Sequence, residues 1–580
     1  MTTTTTAPGR TSSDGRGRAA EDPAPQSESE ALASVEGAEP VALPTPRGIA
    51  RGLFATFARP GPLAREAARL GLGTVRILRG TDEIAPSPKD KRFSDPAWSE
   101  NPGYRRLAQS YVALSESLTR LVDDYESDGR DWREVEQARF VLNAYLSALA
   151  PTNTLLGNPA ALKRAFDTGG RSVARGIGNM LHDIRHNGGM PRQVDRSAFT
   201  VGKDLGVSPG AVVYRDEVIE VIQYAPSTAR VRARPLVIVP PPIGRFYFLD
   251  LSPGRSFVEY AVSQGLQVFM ISWRNPTKAE AYWDLDTYSD AVLSTVDVAR
   301  DITGSPDVIT LGFCAGGQVM TTALNHLAAT GDDRVHAAGY AVTLLDFSRR
   351  APLGAFSAPR LLDLARRNSR RGGVITARQM GSVFTWMRPD DLIFNYLVSE
   401  WLMGEDPPAF DILAWNADGT NLPARLHEQF LEIFGKNALV RPGAMRVLGT
   451  PVHLSRITLP TFVTGALTDH LTPWDGCYRT TQLLSGPTTF VLSSSGHIQS
   501  LVNPPGNPKA SYWTGGEPGP DPHAWQAAAE RHTGSWWEPW AEWMLERSGD
   551  EFEAPSAVGS AAHPAREPAP GSYVVERRAG

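Results

Sequence analysis

The pattern of apolar and polar positions divides the chain into two kinds of segment. Between about residues 95 and 195, apolar side chains recur every three or four positions, first along 104–125, then along 131–149 and again along 160–186. This spacing places them on one face of each helix, so it predicts a helical region whose apolar stripe is buried against a partner. Core packing is the simpler interpretation of the stripe, and a surface-binding role is the alternative.

From about residue 200 the pattern changes to short, almost continuous apolar runs. Residues 212–214 and 218–224 predict an antiparallel pair of strands. Further runs, each separated from the next by other sequence, follow at 235–240, 267–273, 308–313, 338–345, 459–465 and 489–493. Continuous apolar strands that alternate with helices are typical of a parallel sheet with both faces covered. The sequence therefore predicts an α/β domain at 201–347 and 448–547, preceded by a helical domain at 91–200.

Other segments interrupt or flank these two domains. The gap between the runs at 338–345 and 459–465 is too long for a crossover and is rich in Trp, Phe and Tyr, so we predict an inserted cap at 348–447. Residues 1–46 and 548–580 are poor in large apolar side chains. We predict that both are disordered, because they bury too little apolar surface to offset the entropy of ordering.

Residues 47–90 mix apolar side chains with arginines. Such a segment is typical of an amphipathic helix that binds an apolar surface. A short helix that packs on its own domain is an equally good interpretation, and glycines and prolines weaken the prediction of one continuous helix.

Composition narrows the class of protein. The 580 residues carry 58 Lys and Arg against 63 Asp and Glu, a net charge of −5, which argues against a polybasic nucleic-acid-binding protein. Two cysteines exclude a disulfide scaffold and an all-cysteine metal site, and they favour a reducing cytoplasm. The sequence contains no apolar run of transmembrane length, and its first residues, MTTTTTAPGRTSSDGRGR, lack the apolar region of a secretory signal.

The sharpest local signal lies where the run at 308–313 ends. The sequence GFCAGG at 312–317 follows the predicted strand and precedes a helical stretch, as G-x-S-x-G does in α/β-hydrolases, with Cys314 in place of serine. Small residues allow the sharp turn that presents the nucleophile, and the helix N-terminus lowers the pKa of a thiol and offers amides to an oxyanion. We interpret Cys314 as a nucleophile, and a buried structural cysteine is the alternative.

Chain order strengthens this interpretation. In α/β-hydrolases an acid and then a histidine follow the nucleophile along the chain. Asp469 follows the run at 459–465, and His497 follows the run at 489–493, so all three residues come at the ends of separate strands. His470 and Asp475 are rival candidates, although a locally satisfied loop residue is the commoner outcome.

A cysteine at this position favours one kind of chemistry. A thiolate exchanges readily with a thioester because the attacking and leaving groups have similar basicity. The elbow therefore indicates acyl transfer from a thioester, although cysteine hydrolases also exist. The second cysteine, Cys477, lies in a predicted helical stretch, and we interpret it as a packed thiol.

Over about residues 90–545 the chain resembles the single-subunit poly(3-hydroxyalkanoate) synthases, which polymerise hydroxyacyl-CoA into a storage polyester. Besides the elbow and residues 210–224, the resemblance is carried by KRFSDPAWSENPGY (91–104), APTNTLLGNPAALKRAF (150–166), FYFLDLSP (246–253), MISWRNP (270–276), PPAFDILAWNADGTNLP (407–423), DHLTPW (469–474) and GHIQSLVNPPGNPKASYW (496–513). The resemblance implies an α/β-hydrolase fold with an inserted cap, preceded by an α-helical N-terminal domain.

The resemblance also implies a catalytic triad of Cys314, Asp469 and His497. The family usually has Pro-Pro-Trp-Ile-Asn-Lys after the first core strand, whereas this chain has PPPIGR at 240–245. That loop is expected to line the oxyanion site. Since the third proline has no N–H, the backbone amides of Ile243 and Ala315 are the better candidate donors.

The activity implied is polymerisation of (R)-3-hydroxyacyl-CoA through an acyl-Cys314 intermediate. No metal or redox cofactor is implied, because CoA is only the leaving group of the substrate. The resemblance further implies a homodimer that resides on polyester granules in the cytoplasm. Two other classes remain open: a thioesterase or polyester depolymerase on the same fold, and an inactive granule-coat protein.

Overall fold

The computed structural model describes residues 59–576. The predicted disordered extension at 1–46 lies outside these residues. So do residues 47–58 of the segment with mixed apolar and basic residues, and the last four residues of the chain.

The N-terminal region is helical, as its periodicity predicts. Asn101 begins the longest helix by accepting hydrogen bonds from the amides of Gly103 and Tyr104 (2.9 and 3.3 Å), and Asp131 begins the next by accepting one from Arg133 (2.8 Å). The helices are α1 (Pro60–Arg79), α2 (Ala97–Glu100), α3 (Pro102–Ser127), α4 (Trp132–Leu149), α5 (Pro159–Asp167) and α6 (Arg171–His186).

Helix α1 decides between the two interpretations of the described part of residues 47–90. It packs against α3, where the nearly buried Glu66 accepts a hydrogen bond from Arg120 (2.9 Å). On its outer side Leu72 and Leu78 remain 64% and 66% exposed. The helix therefore packs on its own domain and also presents an apolar face.

A single mixed sheet organises the rest of the described chain. Its strands, together with short two-residue and three-residue pairs beside it, are β1 (Gly210–Arg215), β2 (Ile219–Tyr224), β3 (Arg230–Arg232), β4 (Leu236–Val239), β5 (Val268–Trp273), β6 (Val308–Phe313), β7 (Val335–Ala341), β8 (Val374–Ile375), β9 (Leu422–Pro423), β10 (Arg446–Val447), β11 (Thr450–Pro451), β12 (Thr461–Ala466), β13 (Thr488–Ser493), β14 (Ser511–Thr514), β15 (Glu530–Thr533), β16 (Glu551–Glu553) and β17 (Glu567–Pro568).

The order across the main sheet is β15-β14-β13-β12-β7-β6-β4-β5-β2-β1-β17. The six strands from β13 to β5 are parallel, and antiparallel strands extend both edges. The six apolar runs therefore form the parallel strands, and the predicted antiparallel pair is β1 and β2. Every residue of β4, β5, β6 and β12 is buried, which explains why these strands read as continuous apolar runs.

Helices cover both faces of the sheet. Those of the catalytic domain are α7 (Phe257–Ser263), α8 (Leu285–Thr303), α9 (Ala315–Thr330), α14 (Trp474–Tyr478), α15 (Thr480–Leu483), α16 (His497–Leu501), α17 (Pro522–Ala528) and α18 (Trp537–Leu545). Trp537 and Trp540 of α18 contact the ring of Phe257, with centroids 5.2 and 4.5 Å apart. These aromatic contacts close one face of the sheet.

The predicted cap is the segment inserted between β7 and β12. It contains α10 (Pro359–Gly372), α11 (Ala377–Met387), α12 (Asp411–Asn416) and α13 (Ala424–Lys436), and two π-helical turns at Asp390–Phe394 and Leu397–Leu402. The N-terminal region contacts the π-helical turns: Arg92 forms an ion pair with Asp390 (2.7 Å), and α6 packs against the second turn.

The prediction of a disordered tail at 548–580 is wrong for the described residues up to Glu576. Strand β16 pairs with β3, and β17 pairs with β1 at the edge of the main sheet. Tyr573 and Val574 are buried. Composition misled the prediction because this tail gains its order from hydrogen bonds to a sheet edge and from two anchoring side chains, and not from a core of its own.

Candidate active site

Cys314 lies at the sharp turn between β6 and α9. Its backbone has φ 49° and ψ −123°, a left-handed conformation that is costly for a residue with a side chain. The turn is held by hydrogen bonds from the Cys314 amide to the carbonyl of Ala341 (2.9 Å) and from the Thr343 hydroxyl to the carbonyl of Cys314 (3.1 Å). The surrounding sheet thus maintains a strained residue at its carboxyl edge.

The glycines around Cys314 are required by close approach. A Cβ atom on Gly312 would lie 2.5 Å from the Cα of Gly317, and one on Gly316 would collide with the carbonyl oxygen of Val239. The small residues of the elbow therefore let strand, turn and helix approach each other more closely than any side chain would permit.

Asp469 and His497 meet at the same edge of the sheet. Asp469 lies in the loop after β12, and His497 begins α16 just after β13. The Nδ1 atom of His497 lies 2.6 Å from Oδ2 of Asp469, and both side chains are nearly buried. The other oxygen of Asp469 accepts hydrogen bonds from the amides of Leu471 and Thr472 (2.8 and 2.9 Å).

Electrostatics favour an ionised aspartate beside a protonated histidine. Burial lowers the pKa of His497, but the negative charge of Asp469, the nearby Cys314 and the hydrogen bond to Asp469 outweigh burial and raise that pKa above its usual value. Burial raises the pKa of Asp469, but His497 and the hydrogen bonds from Thr472 outweigh it and keep that pKa below its usual value. The three predicted residues therefore form one interacting cluster, with Cys314 partly accessible.

Thr472 is a site residue that the sequence analysis did not single out. Its hydroxyl donates a 2.6 Å hydrogen bond to Oδ2 of Asp469, the same oxygen that His497 approaches, and lies 3.1 Å from Nδ1 of His497. The side chain is buried. Its position three residues after the aspartate, within DHLTPW, was the available signal, because a Thr that follows Asp at this distance can close a local turn.

The rival residues have other roles. The thiol of Cys477 is fully buried and contacts the carbonyl of Thr472 (3.5 Å), and burial raises its pKa well above the usual value, which disfavours a nucleophilic thiolate. Asp475 accepts a hydrogen bond from the adjacent amide of Gly476. Burial lowers the pKa of His470, and no described hydrogen bond joins its ring to the cluster.

The loop after β4 carries the first predicted oxyanion donor. Its Gly244 amide donates to the Thr420 hydroxyl, which in turn donates to the Pro242 carbonyl (2.7 Å each). Within residues 59–576, the amide of Ile243 has no protein acceptor. Ala315, the second predicted donor, is the first residue of α9, where backbone amides have no partner inside the helix.

Residues 59–576 contain neither a candidate metal site nor a candidate membrane span. No three His, Cys, Asp or Glu side chains come together there as a metal ion would require. None of the helices found there combines the length and apolar character needed to cross a bilayer.

Comparison with known proteins agrees with this fold. Residues 89–261 match the family model described as poly-beta-hydroxybutyrate polymerase (PhaC) N-terminus, and residues 250–504 match that of the alpha/beta hydrolase fold. Poly(3-hydroxyalkanoate) polymerase 1 of Ectopseudomonas oleovorans is 46% identical over 514 residues, which cover 89% of this chain and 91% of that protein. The poly(3-hydroxyalkanoate) polymerase subunit PhaC of Cupriavidus necator is 39% identical over 86% of this chain and 85% of its own length.

The match to the second model defines the class of the chain, which has the alpha/beta hydrolase fold. The chain belongs to the poly(3-hydroxyalkanoate) polymerase family. This membership confirms the family resemblance, the fold class and the prediction of an acyltransferase-type enzyme.

Proposed function

We propose that this enzyme polymerises (R)-3-hydroxyacyl-CoA into polyester and releases CoA through a covalent acyl-Cys314 intermediate. The observation that carries the proposal is the cysteine on a strained elbow, in electrostatic contact with the pair of His497 and Asp469. Family membership supports the substrate class.

The first step acylates the enzyme. His497 holds the proton that the Cys314 thiol gives up, and the thiolate attacks the carbonyl carbon of the acyl-CoA thioester. The amides of Ile243 and Ala315 stabilise the resulting oxyanion. When the tetrahedral intermediate collapses, the bond from the acyl carbon to the CoA sulfur breaks, CoA takes the proton from His497, and a new thioester joins the acyl group to Cys314.

The second step extends the polymer. His497 accepts the proton of the 3-hydroxyl group of another unit, and that oxygen attacks a thioester carbonyl. An ester bond forms, a thioester bond breaks, and the departing sulfur recovers a proton. Asp469 orients the imidazole and stabilises its cation in both steps. The balance of atoms requires no external oxidant or reductant, and CoA is the only product besides polymer.

A polyester surface is the proposed site of action. The helical region carries large apolar side chains that are well exposed, and several recur along single helices: Leu72, Val75 and Leu78 on α1, Ile177, Leu181 and Ile184 on α6, and Leu149, Leu156 and Phe166 nearby in sequence. Exposed apolar patches of this kind are typical of interaction sites. We propose that they contact the growing polyester, so that the enzyme resides on granules in the cytoplasm.

A homodimer is implied by the family resemblance and stays a prediction. Sedimentation velocity of the full chain tests it: a species of twice the monomer mass supports the prediction, and a monomer at all concentrations contradicts it.

The decisive experiment combines two measurements on purified protein. With (R)-3-hydroxybutyryl-CoA and its longer homologues, a synthase releases CoA and forms insoluble polyester in step. A thioesterase releases CoA and yields only free hydroxy acid, whereas an inactive coat protein releases no CoA. Mass spectrometry of a quenched reaction tests the intermediate, since Cys314 should carry an acyl adduct and Cys477 should not.

A further inference from the structure

The C-terminal strap, which we define as residues 567–576, contacts the loop that carries the Ile243 amide. The contact is made by Arg245, whose side chain is only 5% exposed. Its guanidinium donates hydrogen bonds to the main-chain carbonyls of Tyr573 (3.0 Å) and Glu576 (3.5 Å). The last described residues therefore bind the side chain of Arg245, which is only two positions along the chain from the candidate oxyanion donor, Ile243.

The strap is itself firmly attached to the catalytic domain. Its first residues, 567–568, pair with β1, and the Tyr573 amide donates to the buried carboxylate of Glu220 (3.0 Å). The ring of Tyr573 lies against two guanidinium groups, those of Arg215 and Arg274, at 5.5 and 5.0 Å from the ring centroid. The strap can therefore act as a fixed support for Arg245.

The loop needs such supports because it has few of its own. The three prolines at 240–242 have no amide to donate, and Gly244 adopts φ +106°, a conformation open chiefly to glycine. On the cap side, Thr420 bonds to the loop backbone, and the indole of Trp415 donates to the Arg245 carbonyl (2.7 Å). The Arg245 guanidinium is bound by the strap and also forms an ion pair with Asp418 (3.7 Å).

We propose that the C-terminal strap positions the oxyanion donor of the enzyme by fixing Arg245 and, through it, the Ile243 amide. Arg245 and Tyr573 are positioning residues in this scheme, since neither needs to touch the reacting atoms. The proposal rests on the oxyanion role given to Ile243 in the proposed function. The further inference is that the strap holds this donor in place.

This arrangement predicts a selective defect when the contact is lost. A preorganised donor stabilises charge that develops in the tetrahedral intermediate, and binds the substrate ground state much less. Loosening the Ile243 amide should therefore lower kcat while KM changes little. A general loss of folding would instead lower the thermal midpoint and weaken the binding of every substrate analogue.

The experiment compares two CoA ligands in Arg245→Met and in a chain that lacks residues 572–580. An acyl-CoA thioether measures ground-state binding, because it has no carbonyl next to sulfur. A trifluoromethyl ketone analogue measures oxyanion stabilisation, because the Cys314 thiolate adds to its carbonyl carbon and leaves an alkoxide. We expect both variants to bind the ketone roughly 10–100-fold more weakly, and the thioether within about twofold of the parent chain.

Matched controls separate the strap from the rest of the tail. A chain that lacks only residues 577–580 keeps every described strap contact and should bind the ketone normally. Glu551→Gln changes an exposed ion pair with Arg230 in the same C-terminal segment and should also have no effect. Arg245→Met also removes the ion pair with Asp418. Adding the 572–580 deletion to Arg245→Met should therefore weaken ketone binding little beyond Arg245→Met alone, because the contact between Arg245 and the strap is already lost.

The outcomes decide between the alternatives. Ketone binding unchanged in Arg245→Met, or ketone and thioether weakened equally, would overturn the proposal. If the truncated chain lacks a cooperative thermal transition, Arg245→Met decides alone; if it folds, a synthetic 567–580 peptide should restore ketone binding. Failure of the proposed function has a different signature: the Cys314→Ala chain would still release CoA from the natural substrate.

Discussion

The helical region at 60–186 and the central sheet differ in how much apolar side-chain surface they leave exposed. In β5, β6 and β12 every position is buried, so nothing apolar is left for a partner. In the helical region, by contrast, Leu78 and Phe166 are 66% and 78% exposed. The sheet buries its apolar surface within the molecule, whereas the helices bury one face and present another.

In the proposed function, this difference separates two tasks, covalent chemistry and contact with polyester. Covalent chemistry needs a rigid scaffold, and the buried strands hold Cys314, Asp469 and His497 at one edge. Contact with an insoluble polyester needs exposed apolar area, which the helices supply. If the two tasks are separable, changes in one region should leave the other task intact.

The largest expected effect is on the nucleophile. Cys314→Ala should abolish CoA release and polymer formation, because Cys477, the remaining thiol, is buried away from substrate. The same protein should still bind polyester particles through its helical region. Cys477→Ala, the matched control, should retain most activity. Substantial turnover by Cys314→Ala would show that the nucleophile is assigned wrongly, and loss of its particle binding would show that the tasks are not separable.

Asp469→Asn should be the next most severe change. Removing the carboxylate takes away the charge that orients His497 and raises its pKa, and the analogous change in a serine protease costs roughly 10⁴-fold in kcat. A thiol, with a reference pKa of about 8.5, is far more acidic than an alkyl hydroxyl and depends less on the base. Chain extension should therefore slow more than the first acylation of Cys314.

Rapid-quench assays check this division. An early release of CoA should persist in Asp469→Asn after polymer synthesis is lost, whereas His497→Gln should suppress both. Equal slowing of the two steps would argue that the aspartate serves acylation and extension alike.

Thr472→Val should have an intermediate effect. The hydroxyl donates to the same oxygen of Asp469 that His497 approaches, so its loss leaves a nearly buried carboxylate oxygen with one donor fewer. Unsatisfied buried groups of this kind cost about 1–3 kcal/mol, and a comparable loss in the transition state would lower kcat by roughly tenfold. Thr472→Ser restores the hydroxyl and should recover most of kcat. Unchanged kcat in Thr472→Val, or equal defects in the Val and Ser variants, would contradict this role of the hydroxyl.

Changes on the apolar face should affect polymer binding and spare the chemistry. Replacing Leu72 and Leu78 with Ser removes two exposed leucines of α1. If the polyester buries even part of each side chain, particle binding should weaken by about tenfold or more in a co-sedimentation assay, with the first release of CoA unchanged. Tyr282→Ser, equally exposed but on the catalytic domain, should have no effect. Unchanged co-sedimentation of the double variant would remove α1 from the proposed surface.

The smallest expected effect is on thermal stability, at the contact between the helical region and the segment inserted between β7 and β12. Glu400 lies in the second π-helical turn against α6, fully buried, beside Asp183, Arg192 and Tyr396 and within the field of Asp406. Burial, with the charge of Asp183, raises the pKa of Glu400 from 4.5 to about 8. Between these values the folded state binds a proton that the unfolded state has released, so stability falls as the pH rises.

Glu400→Gln removes this titration and keeps the shape of the side chain. It should therefore raise the thermal midpoint by about 2–4 °C at pH 8 and by less at pH 5. Glu432→Gln, an exposed change on the surface of α13, serves as the control. A midpoint gain that is the same at both pH values would show that the carboxyl of Glu400 does not titrate at the junction.

Short-range sequence patterns determined the parallel strands, the elbow and the order of the candidate site residues. Parallel strands read as continuous apolar runs because both of their faces are covered, and the elbow reads as GFCAGG because only glycine fits where strand and helix nearly touch. The position of Asp469 and His497 after late strands could also be predicted from the sequence. Carboxyl ends of neighbouring parallel strands lie at one edge, so chain order alone placed these residues near Cys314.

Tertiary structure decided what depends on contacts between distant segments. The contact of Thr472 with Asp469 follows from its local position in DHLTPW, but only the fold brings His497 within 3.1 Å of the same hydroxyl. Residues 548–576 have the composition of a disordered segment. They are ordered in part because Glu220 and Arg245, more than 300 positions away, accept and donate their hydrogen bonds. Composition indicates how much apolar surface a segment can bury by itself. The order of these residues comes instead from hydrogen bonds to polar groups in distant parts of the chain.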